Sequence, residues 1–322
     1  MPVLDASHDL AHPVGDDSAW SESYYFNAYS PESDAGFFTR VGIRPNEGTV
    51  DGFVWAWLPD GGAAQLRFER PQTEMIDRVL EVGGVRFELV QPMQRWQLSA
   101  RGEALDGRDL RFEATFDALT RPVGVDRAGQ SPDEVDEATA AALRSVAGGH
   151  LEQAGRWTGW FEVDGQRVSL DGARGNRDKS WGPRRHDGKG GLRMWRWFSI
   201  NIGDDTHFGG VRIGTPAGDL HKGWVWTDGE ATSVKEWQLT TTTADDGIRH
   251  ESLDLVAHDK RGREHHLHGD VLRAEKLGPA QPGTVLVYEG LTRWELDGRV
   301  GYGVSEYTHV LDDAGVPLVP VE

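Results

Sequence analysis

The densest run of chemistry-bearing side chains is Gly172–Gly203, GARGNRDKSWGPRRHDGKGGLRMWRWFSINIG. Asp178 stands directly before Lys179 and three residues before Trp181. A carboxylate beside an indole can be desolvated, which makes it a better proton donor, whereas a neighbouring Arg177 or Lys179 would keep it ionised. The run therefore reads in two ways: Asp178 as an acid, or Asp178 pinned to Arg177, Arg184 or a backbone amide. A turn-rich loop is expected through this stretch, followed by a strand at Met194–Ile202. The strand's period of two puts Trp195, Trp197, Ser199 and Asn201 on one face and Arg196, Phe198, Ile200 and Ile202 on the other. Flat apolar surface joined to small hydrogen-bonding groups suits a ligand cavity wall. The same pattern also suits a core face with two polar residues near a strand end.

Three weaker groups accompany it. In His150-Leu151-Glu152-Gln153, His150 and Glu152 share a face if the chain is extended, where they could relay a proton or merely bridge two parts of the fold. In Glu264-His265-His266-Leu267-His268, His266 and His268 share a strand face, but spacing supplies no third ligand, and no metal is expected. In Gly301-Tyr302-Gly303-Val304-Ser305-Glu306-Tyr307, Tyr302, Val304 and Glu306 form one face and small residues much of the other. Glu306 is a candidate second acid, or the partner of Arg293 or Arg299.

These residues need elements to hold them. Asp-Gly pairs at 60–61, 106–107, 164–165, 228–229 and 297–298 suit hairpin turns, because Gly tolerates positive φ and Asp can bond its own backbone. Between them lie β-type runs such as Gly52–Leu58, Arg95–Ala100, Trp157–Val163, His207–Ile213 and Thr284–Trp294. Many short strands with regular turn signals predict sandwiches or barrels. Ser131-Pro132-Asp133-Glu134 carries a capping box and opens an Ala- and Glu-rich stretch that Gly148-Gly149 ends, which predicts one linking helix near 131–147. The expected division is a β domain over 1–128, a link over 129–149 and a second β domain over 150–322.

Composition narrows the functional classes. A net charge of −18 repels phosphate backbones and anionic lipid heads, so no nucleic-acid partner and no membrane insertion are expected. The absence of Cys removes disulfides, thiolate metal sites and a Cys nucleophile and suits a cytoplasmic location. The 13 Trp can fill a β core or line a cavity for an apolar small molecule. There is no nucleotide-binding Gly motif and no Gly-x-Ser-x-Gly elbow, so redox, kinase and serine-hydrolase readings lack their parts.

Asp178-Lys179-Ser180-Trp181-Gly182, followed by Trp195-Arg196-Trp197-Phe198, resembles the Asp-His-x-Trp-Gly and Trp-x-Trp pattern of the lipocalin-like carotenoid 1,2-hydratase (hydroxyneurosporene synthase) superfamily. That group also takes in tocopherol-cyclase-like and Diels–Alderase-like proteins. The resemblance is specific over about residues 150–205 and plausible over Tyr302–Tyr307. It implies an all-β fold of two lipocalin-like (calycin) antiparallel barrels or curved sheets packed together. It also implies acid chemistry without a cofactor on a terpenoid-like or polyketide-like substrate: a hydratase, cyclase or isomerase. Asp178 then matches the family's aspartate and Trp181, Trp195 and Trp197 its aromatics. Lys179 departs from the pattern, which usually has His there, and this removes a group that titrates near neutrality. The expected catalytic group is Asp178, Lys179 and Glu306. The expected substrate-binding group is Trp181, Trp195, Trp197, Ser199, Asn201, Tyr302 and His150. The alternative is a lipocalin-like carrier of an apolar ligand without chemistry, or a chain whose Asp178 loop only clamps the fold. A homodimer is compatible with the sequence.

Overall fold

A computed structural model describes residues 4–126, 148–184, 192–216, 218–277 and 284–322. The expected linking helix near 131–147 lies outside the described residues. Those described are overwhelmingly β. In chain order the strands are β1 (Trp20–Ser30), β2 (Ala35–Arg44), β3 (Thr49–Trp57), β4 (Ala63–Pro71), β5 (Val79–Val82), β6 (Val85–Gln91), β7 (Arg95–Glu103), β8 (Asp109–Ala118), β9 (Val123–Asp126) and β10 (Gly149–Val163). They continue with β11 (Gln166–Ser169), β12 (Arg174–Pro183), β13 (Met194–Ile202), β14 (Thr206–Thr215), β15 (Gly218–Thr227) and β16 (Glu230–Thr243). The last four are β17 (His250–Asp259), β18 (Glu264–Leu277), β19 (Val285–Leu296) and β20 (Arg299–Val310). A short 3-10 turn, Ala6–Asp9, precedes them, capped by the Asp5 side chain. At Asp164-Gly165, Asp228-Gly229 and Asp297-Gly298 both residues take positive φ, the backbone that a two-residue hairpin turn with right-handed strand twist requires.

The first sheet runs β4-β3-β2-β1-β12-β10-β8-β7-β6-β5, with β9 and β11 pairing on β10. Its two edges meet through side chains rather than a ladder: Arg70 on β4 donates to the Glu81 carbonyl on β5 at 3.0 Å. The sheet is thus a nearly closed barrel, filled by Phe26, Phe37, Phe87, Trp96, Phe112, Phe116 and Trp157. The second sheet is a closed eight-stranded barrel, β13 to β20 in sequence order, with Phe198, Ile200, Trp237, Leu255 and Trp294 in its core. The all-β, two-barrel, lipocalin-like architecture stands as expected.

Two expectations are corrected. The strands divide between Pro183 and Met194, not near residue 150, because β10 and β12 sit between β8 and β1 and complete the first sheet. Residues 174–183, read as loop, form β12, paired on both sides. Its charges look like loop because no apolar alternation shows. They are tolerated in a strand because each inward charge meets an opposite one.

Candidate functional site

Strand β12 alternates. Arg177, Lys179 and Trp181 point into the first barrel, on the side of Tyr24 and Phe26, their ladder neighbours with Glu22 on β1. Asp178 and Ser180 point outward. On β10 the same alternation sends Leu151 and Gln153 inward, and His150 and Glu152 outward.

The outward face holds a cluster of titratable groups. Glu152 lies directly across the ladder from Asp178, and His150 across from Ser180. His150 Nε2 is hydrogen-bonded to Asp178 Oδ2 and stands 3.4 Å from Glu152 Oε1. Glu152 is buried, while His150 and Asp178 keep 31% and 17% of their side-chain surface exposed, enough to meet a ligand. Burial alone would lower the His150 pKa. The charge and hydrogen bond of Asp178, with the charge of Glu152, outweigh it and raise the imidazole above its ordinary value. Arg184 opposes this in part and hydrogen-bonds Ser180 Oγ at 3.0 Å. Across β1 and β2 the row continues with Tyr25 opposite Asp178 and Arg40 opposite Tyr25. Arg40 donates to Ser23 Oγ at 2.9 Å and pairs with Asp51 at 2.9 Å.

The ligand atoms of His150, Glu152 and Asp178 all lie within 4.8 Å of one another, a spacing that a divalent cation could use. The same three groups can also hold and pass a proton. Asp178 is not pinned to Arg177 or Arg184: Arg177 ion-pairs with Asp9, and Arg184 bonds Ser180.

The inward face of β12 is an anchor. Lys179, expected in the catalytic group, points away from Asp178 because neighbouring residues on a strand face opposite sides. Its three N–H bonds find three acceptors: Glu22 Oε1 at 2.8 Å, the His8 carbonyl at 2.7 Å and the Leu10 carbonyl at 2.6 Å. Glu22 also accepts from the His12 amide at 3.0 Å and the Tyr24 hydroxyl at 2.9 Å. Burial pushes the Glu22 pKa up, but the hydrogen bond from the His12 side chain, Nδ1 to Glu22 Oε1 at 3.2 Å, and the Lys179 charge overcome it and hold the carboxyl below its usual range. Trp181 stacks on His12, centroids 3.9 Å apart and planes 9° apart. Gly149 makes that position available, since a Cβ there would stand 2.1 Å from the Trp181 ring. Arg177 binds Asp9 and donates to Gln153 Oε1 at 2.8 Å. The segment around Ala6–Asp9 is thereby tied to β12.

The remaining expected residues lie on the second barrel. Phe198, Ile200 and Ile202 fill its core, so Trp195, Trp197, Ser199 and Asn201 face out of the barrel, not into its lumen. Across the ladder, Trp197 neighbours Glu306 and Asn201 neighbours Tyr302. Trp197, Ser199 and Asn201 are buried despite facing outward, as are Trp224 and Trp226 on β15. Asn201 Oδ1 meets His207 Nδ1 at 2.9 Å, and Glu306 accepts from Thr308 Oγ1 at 3.1 Å. Arg293 and Arg299, considered as partners of Glu306, pair with Asp270 and Asp205 instead. His266 and His268 are 68% and 49% exposed and sit beside Glu264 and Asp254.

The structure therefore brings together His150, Glu152 and Asp178, and separately Trp197 with Glu306 and Asn201 with Tyr302. Sequence reasoning missed Tyr25 and Arg40. A signal was available: in WSESYYFN, the alternation of Ser21, Ser23, Tyr25 and Asn27 against Trp20, Glu22, Tyr24 and Phe26 marks a two-faced strand.

A family profile described as a domain of unknown function, DUF7064, matches residues 5–311. No curated protein matches the sequence. Among solved structures, a protein assigned provisionally as AttH from Nitrosomonas europaea is similar with a TM-score of 0.65 and 11% identity, covering 91% of this chain and 94% of that one. Kievitone hydratase from Nectria haematococca follows with a TM-score of 0.62 and 12% identity, covering 91% and 90%. CghA gives a TM-score of 0.56 and 13% identity, covering 92% and 89%. At such identities the likeness is one of fold.

Proposed function

We propose that this chain, which belongs to the DUF7064 family, is a hydratase- or cyclase-type enzyme that works by proton transfer, without a cofactor, on a hydrophobic terpenoid-like or polyketide-like substrate. The observation that carries the reading is the convergence of His150, Glu152 and Asp178 on one partly open face. The raised pKa of His150, caused chiefly by the Asp178 charge, favours a proton on the pair. The naming of one fold neighbour as a hydratase is in keeping with it.

In this reading the imidazolium of His150 donates to Asp178, and the pair holds one transferable proton. Delivered from the Asp178 carboxyl to an alkene carbon, the proton leaves a cation on the adjacent carbon. The pair is then a neutral imidazole between two carboxylates; water adds to the cationic carbon and gives up a proton to that imidazole. Alkene and water become alcohol, and the pair is regenerated. An internal hydroxyl in place of water gives cyclisation. Glu152, beside the pair, favours the protonated imidazole and resists its loss of the proton.

The test is mass spectrometry of small molecules that copurify with the protein, followed by turnover of the compound class found, in oxygen-18 water. Expected is a product heavier by one labelled water, and its absence with Asp178→Asn. Unchanged turnover in that variant rejects the acid assignment. Turnover is expected to survive exhaustive chelation. Loss that zinc restores would move the same three residues to the role of metal ligands.

A further inference from the structure

The lumen of the second barrel contains polar side chains that proton transfer on the first barrel does not use. Arg196 on β13, His250 on β17, and Ser305, Tyr307 and His309 on β20 all point inward and are buried. Gly290 on β19 gives His250 its room, since a Cβ there would stand 2.5 Å from His250 Nε2. His250 lies flat on Tyr307, centroids 4.0 Å and planes 7° apart, and its Nε2 donates to the Ser305 carbonyl at 3.0 Å and lies 2.9 Å from Ser305 Oγ. The Arg196 guanidinium lies over the Tyr307 ring, 4.3 Å from its centre, and the Tyr307 hydroxyl meets Thr241 Oγ1 at 2.7 Å.

Around this ring, four buried nitrogens have no hydrogen-bond partner among the described residues: Arg196 Nε, His250 Nδ1 and both ring nitrogens of His309. Folded proteins rarely leave such groups unmet, and several in one place point to a polar guest. Burial holds both imidazoles near a pKa of about 3, so at neutral pH each is an uncharged ring with one donor and one acceptor. Arg196 supplies the positive charge.

A carboxylate already reaches this place. Glu322 puts Oε2 3.4 Å from Arg196 Nη2 and Oε1 3.0 Å from Arg212 Nη1. Its backbone carbonyl accepts from the Thr241 amide at 2.5 Å, and the adjacent Val321 packs on the barrel core. The contact to Arg196 is long and uses one nitrogen of the guanidinium edge, leaving Nε unmet. A carboxylate free of the chain could take both Nε and Nη2 in the two-pronged geometry that guanidinium favours.

We propose that this end of the second barrel binds a small monocarboxylate, held by Arg196 with His309 as a further donor, in the place that the Glu322 side chain takes in its absence. Glu322 is then a tethered competitor. A short tether gives an effective concentration on the order of mM, so removing it should tighten binding about tenfold or more.

The experiment is calorimetric titration of the full chain with benzoate, with benzamide as the uncharged control, while the imidazole nitrogens are followed by NMR. Expected are benzoate binding that moves the His309 signals, no response to benzamide, about tenfold tighter binding in Glu322→Ala, and loss of binding in Arg196→Met. Because Arg196→Met removes a buried charge and could fail to fold, His309→Phe provides a second arm: binding weakened, fold retained. Benzoate binding that leaves the His309 signals still, affinity unchanged in Glu322→Ala, or no binding at all would each overturn the proposal.

Discussion

On the inner face of β12, Arg177 and Lys179 each meet a carboxylate together with neutral partners, and the ammonium of Lys179 has an acceptor for every N–H. One residue away, on the outer face, Asp178 has an imidazole as its partner and a second carboxylate across the ladder. The residue types are alike, but the arrangements oppose each other. A satisfied buried pair resists any change of charge, since losing one partner strands the other in a medium that solvates it poorly. Two carboxylates around a histidine, partly open, have a protonation state that a substrate or a change of pH can alter. The difference separates residues that hold the strand from residues that can do chemistry on it.

Substitution on each face should break this comparison in opposite ways. The largest effect is expected from Asp178→Asn: turnover lower by roughly 10²–10⁴-fold, the range of a positioned acid, with only a small drop in melting temperature. A large drop in melting temperature would move Asp178 to the anchoring group. Lys179→Met should do the reverse, costing about 3–5 kcal/mol of stability by stranding Glu22 in the barrel, as denaturant titration would show. Adding Glu22→Leu to that variant should recover part of the loss, because the stranded charge is then gone. If Lys179→Met left stability intact but abolished turnover, the two faces would have to exchange roles.

The pH dependences should sharpen the contrast. His150 binds its proton more tightly folded than unfolded. Its contribution to stability is therefore fully present below the ordinary histidine value of about 6.5 and disappears as pH rises through the higher folded value. Turnover should fall over that same upper range, and His150→Gln should flatten both profiles. Glu22 is shifted the other way. Its contribution is in place above the ordinary carboxyl value of about 4.3 and is lost as pH falls through the lower folded value, a loss that Glu22→Gln should remove from a melting-temperature profile. The smallest effect is expected from His12→Ala, which removes the ring stacked on Trp181, worth about 0.5–1.5 kcal/mol, together with a hydrogen bond to Glu22, measured by chemical denaturation.

Much of the architecture was legible. Asp-Gly turns and short β runs predicted barrels, and three of those turns have the doubly positive φ that the pairing favours. Alternation also foresaw that His150 and Glu152 would share a face. The strand character of Arg174–Pro183 was hidden because a strand whose inward positions are Arg and Lys has no apolar rhythm. What marks it lies far off in sequence, in Asp9 and Glu22, which neutralise those charges. The same concealment placed Lys179 beside Asp178 in function, although alternation sends it to the other side. On Met194–Ile202 the two faces were sorted correctly. Which of them met the lumen depended on the partner strands, and Tyr307 and Trp294 show that it was the face with Phe198.

The pairing of β1 with β12 also has a consequence for how the chain is made. Trp20 on β1 lies opposite Pro183 on β12, and β2 covers only its other edge. About 160 residues separate the two partners in the chain, so at a synthesis rate of roughly 5–20 residues per second the first strand waits about 8–30 s for its neighbour. Throughout that interval β1 presents an open hydrogen-bonding edge, the feature most prone to pair with another chain. Glu22 is also without Lys179 for that time, and a charge next to an unpaired edge discourages such contacts. The residue that anchors the finished barrel would thus guard the nascent one.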